Sequence, residues 1–103
     1  RASGRELARA DVEAPDNVSW SDGRLLVASL RAPMWQVMRC AELRTGACPL
    51  PFAIVELDPE TLAAREIYAG EGPPMGAGTA AIEVGGELFI GTFAGDRLLR
   101  VTR

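Results

Sequence analysis

Eight residues of this chain, Gly23-Arg24-Leu25-Leu26-Val27-Ala28-Ser29-Leu30, return 63 positions later as Gly86-Glu87-Leu88-Phe89-Ile90-Gly91-Thr92-Phe93. A repeat of this kind governs the fold, because each unit that cannot bury its own apolar face is covered by its neighbour. Both copies follow a short segment of mixed polarity and a tight turn, Ser21-Asp22-Gly23 and Val84-Gly85-Gly86, where a residue able to take positive φ marks a hairpin. A third strand is expected after each copy, Phe52 to Asp58 in the first and Arg97 to Thr102 in the second. The first copy carries a long insertion between its second and third strands, Arg31 to Pro51, and insertions in repeat units belong in loops on one face.

The first unit continues through Asp58-Pro59-Glu60-Thr61, a proline-preset turn, into a fourth strand at Ala64 to Tyr68. The second unit stops before such a strand. Arg5 to Ala10 precedes the first copy as Arg65 to Tyr68 precedes the second, and reads as an orphan outer strand, although its composition also suits a turn or two of helix. The expected fold class is therefore all-β: antiparallel four-stranded blades of a partial β-propeller, about one and three-quarter blades of a larger ring. The units are 1–14, an orphan outer strand of a preceding blade; 15–72, a complete blade with its insertion at 31–51; and 73–103, a final blade lacking its fourth strand. A small antiparallel sandwich or open barrel of eight strands is the competing architecture.

The 103 residues, 48% of them hydrophobic, suit one modest core. A net charge of −3 with eleven scattered arginines leaves no basic stripe for a nucleic-acid backbone, so no nucleic-acid partner is expected. The chain has no histidine, which removes His-based triads and His-based zinc sites from its own chemistry. Carboxylates, amides, hydroxyls or a hard cation must do the work. Cys40 and Cys48 stand in a Gly- and Pro-punctuated stretch; a local disulfide and two partly buried thiols both fit their spacing, and a bridge would imply an oxidising compartment, secreted or periplasmic. The first residue, Arg1, fits processing or excision from a longer chain.

Pro15-Asp16-Asn17-Val18-Ser19-Trp20 opens the first unit and places a carboxylate beside a carboxamide where the innermost strand begins. Two hard oxygen donors suit calcium, which collects six to eight of them, so further ligands would have to come from other blades. The alternative is a turn whose Asp and Asn bond their own backbone. Asn17-Val18-Ser19 also matches a glycosylation sequon, which a ligand at a strand entrance could not serve.

Pro15 to Trp20, Gly23 to Ser29 and Gly86 to Phe93 together resemble the last part of the paraoxonase and arylesterase family of six-bladed propellers, within a wider group that includes gluconolactonase/regucalcin and strictosidine synthase-like propellers. The likeness runs from about Leu7 to Val101 and includes the insertion, with the Asp-Asn pair as its specific part. It implies that Asp16 and Asn17 ligate a calcium ion in a central channel. The activity implied is calcium-dependent hydrolysis of small-molecule esters or lactones, a carboxylic ester hydrolase of arylesterase or lactonase type, with Asp16 as the general base available in this stretch. The partners are then the substrate and the upstream blades of the same parent chain. A strictosidine synthase-like activity and a non-enzymatic partner-binding propeller stay open.

At the repeat offset Asp16 matches Thr79 and Leu30 matches Phe93, which makes Thr79 and Phe93 expected substrate-pocket wall; satisfaction of a hydroxyl at a strand start and ordinary packing are the competing roles. Met34, Trp35, Val37 and Met38 form an apolar cluster in the insertion. A lid, a membrane-facing or partner-facing patch, or a cover for the blade's own edge would each use it.

Overall fold

The computed structural model describes residues 4–46, 48–71 and 74–102. The expected boundary between the two units, at 72 and 73, lies outside the described residues, as do 1–3, 47 and 103. Among the described residues seven strands form: β1 Pro15–Ser21, β2 Arg24–Leu30, β3 Phe52–Leu57, β4 Ala64–Gly70, β5 Gly78–Val84, β6 Glu87–Thr92 and β7 Leu99–Thr102. They make two antiparallel meanders, a four-stranded sheet in the order β1-β2-β3-β4 and a three-stranded sheet in the order β5-β6-β7. The described residues are all-β, apart from one short helix and the single 3-10 turn that follows it in the insertion.

The 63-residue repeat is written into the backbone. β1 and β5 start at Pro15 and Gly78, and β2 and β6 start at Arg24 and Glu87. Each first strand is preceded by an alanine at positive φ, Ala14 at 38° and Ala77 at 54°. Each hairpin turns through two residues at positive φ, Asp22 and Gly23 at 46° and 77°, Gly85 and Gly86 at 58° and 81°, the two-residue turn whose twist matches that of the flanking strands. Each first strand also breaks register at its start, between Pro15 and Val18 and between Gly78 and Ala80.

The main core lies between the two sheets. Leu26, Ala28, Leu30, Phe52 and Ile54 from the first sheet meet Ala81, Leu88 and Ile90 from the second, and Met75 and Ala77 from the connecting segment fill the same layer. Fully burying each of the larger side chains stabilises by about 1.5–3 kcal/mol. The odd-numbered positions of β2 point the other way. Val27, Val55 and Leu57 form a smaller cluster on the outer face of the first sheet, against which Leu25, Ala10 and Val12 pack. Residues of β3 are buried throughout, which explains why Phe52 to Val55 reads as an unbroken apolar run rather than an alternation.

Arg5 to Ala10 pairs with neither sheet, and its segment reaches the first sheet through Ala10 and Val12. Two expectations are corrected. The third strand of the second unit starts at Leu99, not Arg97, because Arg97 turns its side chain to Asp96 and the carbonyl of Pro74. The insertion is not a plain loop. Met34–Arg39 form helix α1, started by the Gln36 and Val37 amides on the Pro33 carbonyl and ended in a tight turn at Cys40–Glu42.

Candidate functional site

Neither Asp16 nor Asn17 has a ladder partner on β2, because both stand in the bulge between Pro15 and Val18. A bulge re-aims side chains away from the regular alternation, and both residues are exposed. Thr79 occupies the matching bulge of β5. Asn17 joins the two: its Nδ2 donates to the Thr79 carbonyl at 2.9 Å and to Asp16 Oδ1 at 3.1 Å. Both bonds leave from the nitrogen. The Asn17 Oδ1 and the second carboxylate oxygen of Asp16 accept no hydrogen bond among the described residues. Two hard oxygens are thus held at adjacent positions by an amide that is itself fixed to the neighbouring strand, a donor set that suits calcium by type.

The bridge from Asn17 is the first of three. Ser19 Oγ donates to the Ala81 carbonyl, and Ser21 Oγ lies 3.4 Å from Glu83 Oε1, each across 62 positions. Every second side chain of β1 therefore reaches the next residue but one of β5, and the two strands run side by side in parallel, joined through side chains rather than a backbone ladder. Sequence reasoning missed this seam. Its signal was present in the alternation Asn17-x-Ser19-x-Ser21, three small polar residues on one face of a strand.

Thr79 is buried, and it is its backbone carbonyl rather than its hydroxyl that meets Asn17. Phe93 lies one residue beyond the end of β6 and is 45% exposed, at the end of the second sheet where Thr79 enters. The insertion leaves from that same end of the first sheet, since Pro15 pairs with Ser29 and the Arg31 amide bonds the Pro51 carbonyl.

Cys40 and Cys48 are bridged, with their Cα atoms 5.8 Å apart. The bridge ties α1 to a segment that is anchored on the second sheet. The Cys48 amide donates to the Ala94 carbonyl, while Gly46 and Asp96 exchange two bonds, Gly46 N–H to the Asp96 carboxylate at 3.0 Å and Asp96 N–H to the Gly46 carbonyl at 3.1 Å. The Arg97 guanidinium and then the Gly46 amide hold the Asp96 carboxyl below the usual carboxylate range. Of the apolar cluster in the insertion, Val37 is buried in the core, whereas Met34, Trp35 and Met38 are exposed.

A cleft of about 420 Å³ does not include Asp16 or Asn17. It lies along β4, lined by Arg31, Phe52, Glu66 and Glu71, and Arg31 holds it with ion pairs to Glu66 at 3.4 Å and Glu13 at 3.8 Å. No group of three or more acidic, histidine or cysteine side chains is placed to hold a metal among the described residues. The chain matches no protein-family model, no curated protein and no solved structure.

Proposed function

We propose that these residues contribute part of the channel metal site of a calcium-dependent ester or lactone hydrolase built as a β-propeller. The observation that carries this reading is the fixed Asp16-Asn17 pair, with two unbonded hard oxygens at the bulge that opens an inner strand. Three further facts favour it. The two first strands lie parallel and adjacent, as inner strands around an axis would. The sheets repeat with a step of 63 residues. The segment Pro15 to Trp20 resembles the arylesterase-like propellers.

Bound calcium would polarise the substrate carbonyl and stabilise the oxyanion that develops on it. Asp16 and Asn17 would supply two of its six to eight oxygens, and the remaining ligands would have to come from other blades. Asn17 keeps the carboxylate in place, since the amide that bonds Asp16 is locked to Thr79. Asp16 is the base of this reading, and because the oxygen that Asn17 leaves free is also the one offered to the cation, it would take the proton of the attacking water only when loosely coordinated.

The test uses the natural protein that carries these 103 residues. Calorimetric calcium titration, together with hydrolysis of phenyl acetate and a simple γ-lactone, is measured for that protein and for Asp16→Ala and Asn17→Ala. Calcium-dependent hydrolysis that falls by about two orders of magnitude or more in Asp16→Ala supports the reading. Hydrolysis that persists in a chelator, or calcium affinity unchanged in both variants, rejects it.

A further inference from the structure

We infer that Ser29 is the positioning residue of the Asp16-Asn17 pair: its hydroxyl clamps the left-handed backbone from which the two side chains are presented, and Arg31 aims that hydroxyl. The inference rests on the hydrolase reading for the calcium ion alone; the clamp itself is carried by geometry. It starts from Ala14, which stands at a φ of 38° immediately before Pro15 and the bulge that holds Asp16 and Asn17. A Cβ disfavours positive φ, and the ring of a following proline restricts its predecessor further, so this conformation has to be held by its surroundings. Ser29 holds it from the partner strand. It pairs with Pro15 across the ladder, and its Oγ donates to the Glu13 carbonyl, in the peptide group on the N-terminal side of Ala14. The Leu30 amide bonds the carbonyl on the other side, that of Ala14 itself, at 3.2 Å. The left-handed residue is thus pinned at both of its flanking peptides by two successive residues of β2.

Chemistry fixes the direction of the clamp. Ser29 is wholly buried, and a serine hydroxyl has one proton to give. The Nε–H of Arg31, which can only donate, reaches the same oxygen at 2.9 Å, so the proton is left for the Glu13 carbonyl. Arg31 is held in turn by ion pairs with Glu13 at 3.8 Å and Glu66 at 3.4 Å, and its own amide bonds the Pro51 carbonyl where the insertion returns to the sheet. A hydroxyl sealed from water with both bonds made resists displacement, because breaking either one strands a buried polar partner.

The second unit carries the same device. Thr92, 63 positions after Ser29, accepts the Ala94 amide at 3.2 Å and donates to the Ala77 carbonyl at 2.9 Å, the nearer of two carbonyls within its reach. Ala77 is the left-handed residue of that unit, at 54°, and it precedes the bulge that holds Thr79. In both units a hydroxyl near the end of the second strand therefore sets the entrance of the first. Only the first unit presents a carboxylate and a carboxamide from its bulge, and there the guanidinium of Arg31 takes the place of the Ala94 amide. Residues that orient metal ligands without touching the metal commonly govern affinity by about ten- to a hundredfold.

The test compares the natural protein that carries these residues with Ser29→Ala and with Ser29→Ala combined with Ala14→Gly. Calcium affinity is measured by calorimetric titration, and backbone hydrogen–deuterium exchange is followed by mass spectrometry on the calcium-free proteins. Ser29→Ala is expected to weaken calcium binding about tenfold or more and to speed exchange in the segment 12–18. Adding Ala14→Gly is expected to recover part of the lost affinity, since glycine takes positive φ without the Cβ penalty and no longer needs the clamp. A serine that acted only by filling space would not be replaced by a glycine on another segment. Calcium affinity unchanged in Ser29→Ala, a loss that Ala14→Gly does not lessen, or exchange in 12–18 no faster than in the parent overturns the inference. A parent protein that binds no calcium rejects the hydrolase reading by itself, and exchange then decides the clamp: acceleration confined to 12–18 supports it, and its absence overturns it.

Discussion

The side-chain amide of Asn17 donates to the backbone carbonyl of Thr79, 62 positions away, at 2.9 Å. That bond couples the fold to the candidate site, because the same nitrogen also holds the carboxylate of Asp16. Two sheets with no shared backbone ladder are joined at the point where the two hard oxygens are presented.

The seam should therefore be measurable as stability. Asn17→Ala combined with Ser19→Ala removes two bonds to carbonyls of β5, and is expected to lower unfolding free energy in urea by about 1–3 kcal/mol. The single variants should each cost less. An unchanged urea midpoint in the double variant would show that the carbonyls of Thr79 and Ala81 do not need these partners.

Gly76 sets how closely the connecting segment approaches the insertion. A Cβ there would stand 2.2 Å from the Cys48 carbonyl oxygen and 2.8 Å from the Leu50 amide nitrogen, and both are backbone atoms that cannot rotate aside. Gly76→Ala is expected to destabilise the chain by at least about 2 kcal/mol in the same assay. Gly85→Ala in the β5–β6 turn meets nothing within 4 Å, so only the strain of a positive φ is felt there and the loss should be smaller.

Reduction of the Cys40–Cys48 bridge frees the insertion from one of its ties to the second sheet. Cys40→Ser with Cys48→Ser is expected to cost about 2–3 kcal/mol and to lower the thermal midpoint by several degrees. If the midpoint is the same with and without a reductant, the Gly46–Asp96 bonds and the packing of Val37 are sufficient to hold the segment.

Acid should loosen the β3–β4 turn. The Thr61 and Glu60 amides bond the Asp58 carboxylate and hold its pKa below the ordinary value. A folded pKa lower than the unfolded one contributes stability that is fully present above the unfolded value and is lost as pH falls below it and through the lowered folded value. Thermal midpoints recorded from pH 6 down to pH 3 are expected to fall less steeply for Asp58→Asn than for the parent chain. Parallel curves would remove Asp58 from the acid response.

Much of this architecture was legible in one dimension because its cause is periodic. Two-residue turns that need positive φ, at Asp22-Gly23 and Gly85-Gly86, and apolar runs at fixed distances from them, specify hairpins wherever they occur. Asp16 and Asn17 were legible as a pair for the same local reason. The helix Met34–Arg39 was not, since its six residues show a single buried side chain, Val37, too few to trace a helical period. Arg5 to Ala10 marks a related limit: a strand ladder exists only with a partner, and a segment's composition does not say where that partner lies.

The amino-acid sequence by itself determined the β1–β2 and β5–β6 hairpins, their turns and the 63-residue step, because each depends on residues close together along the chain. Tertiary structure decided which faces of the sheets meet, which oxygens of Asp16 and Asn17 stay free, and that Cys40 reaches Cys48. Those outcomes depend on atoms brought together across the packed layer between the sheets, where the position of one side chain is set by what the distant partner offers it.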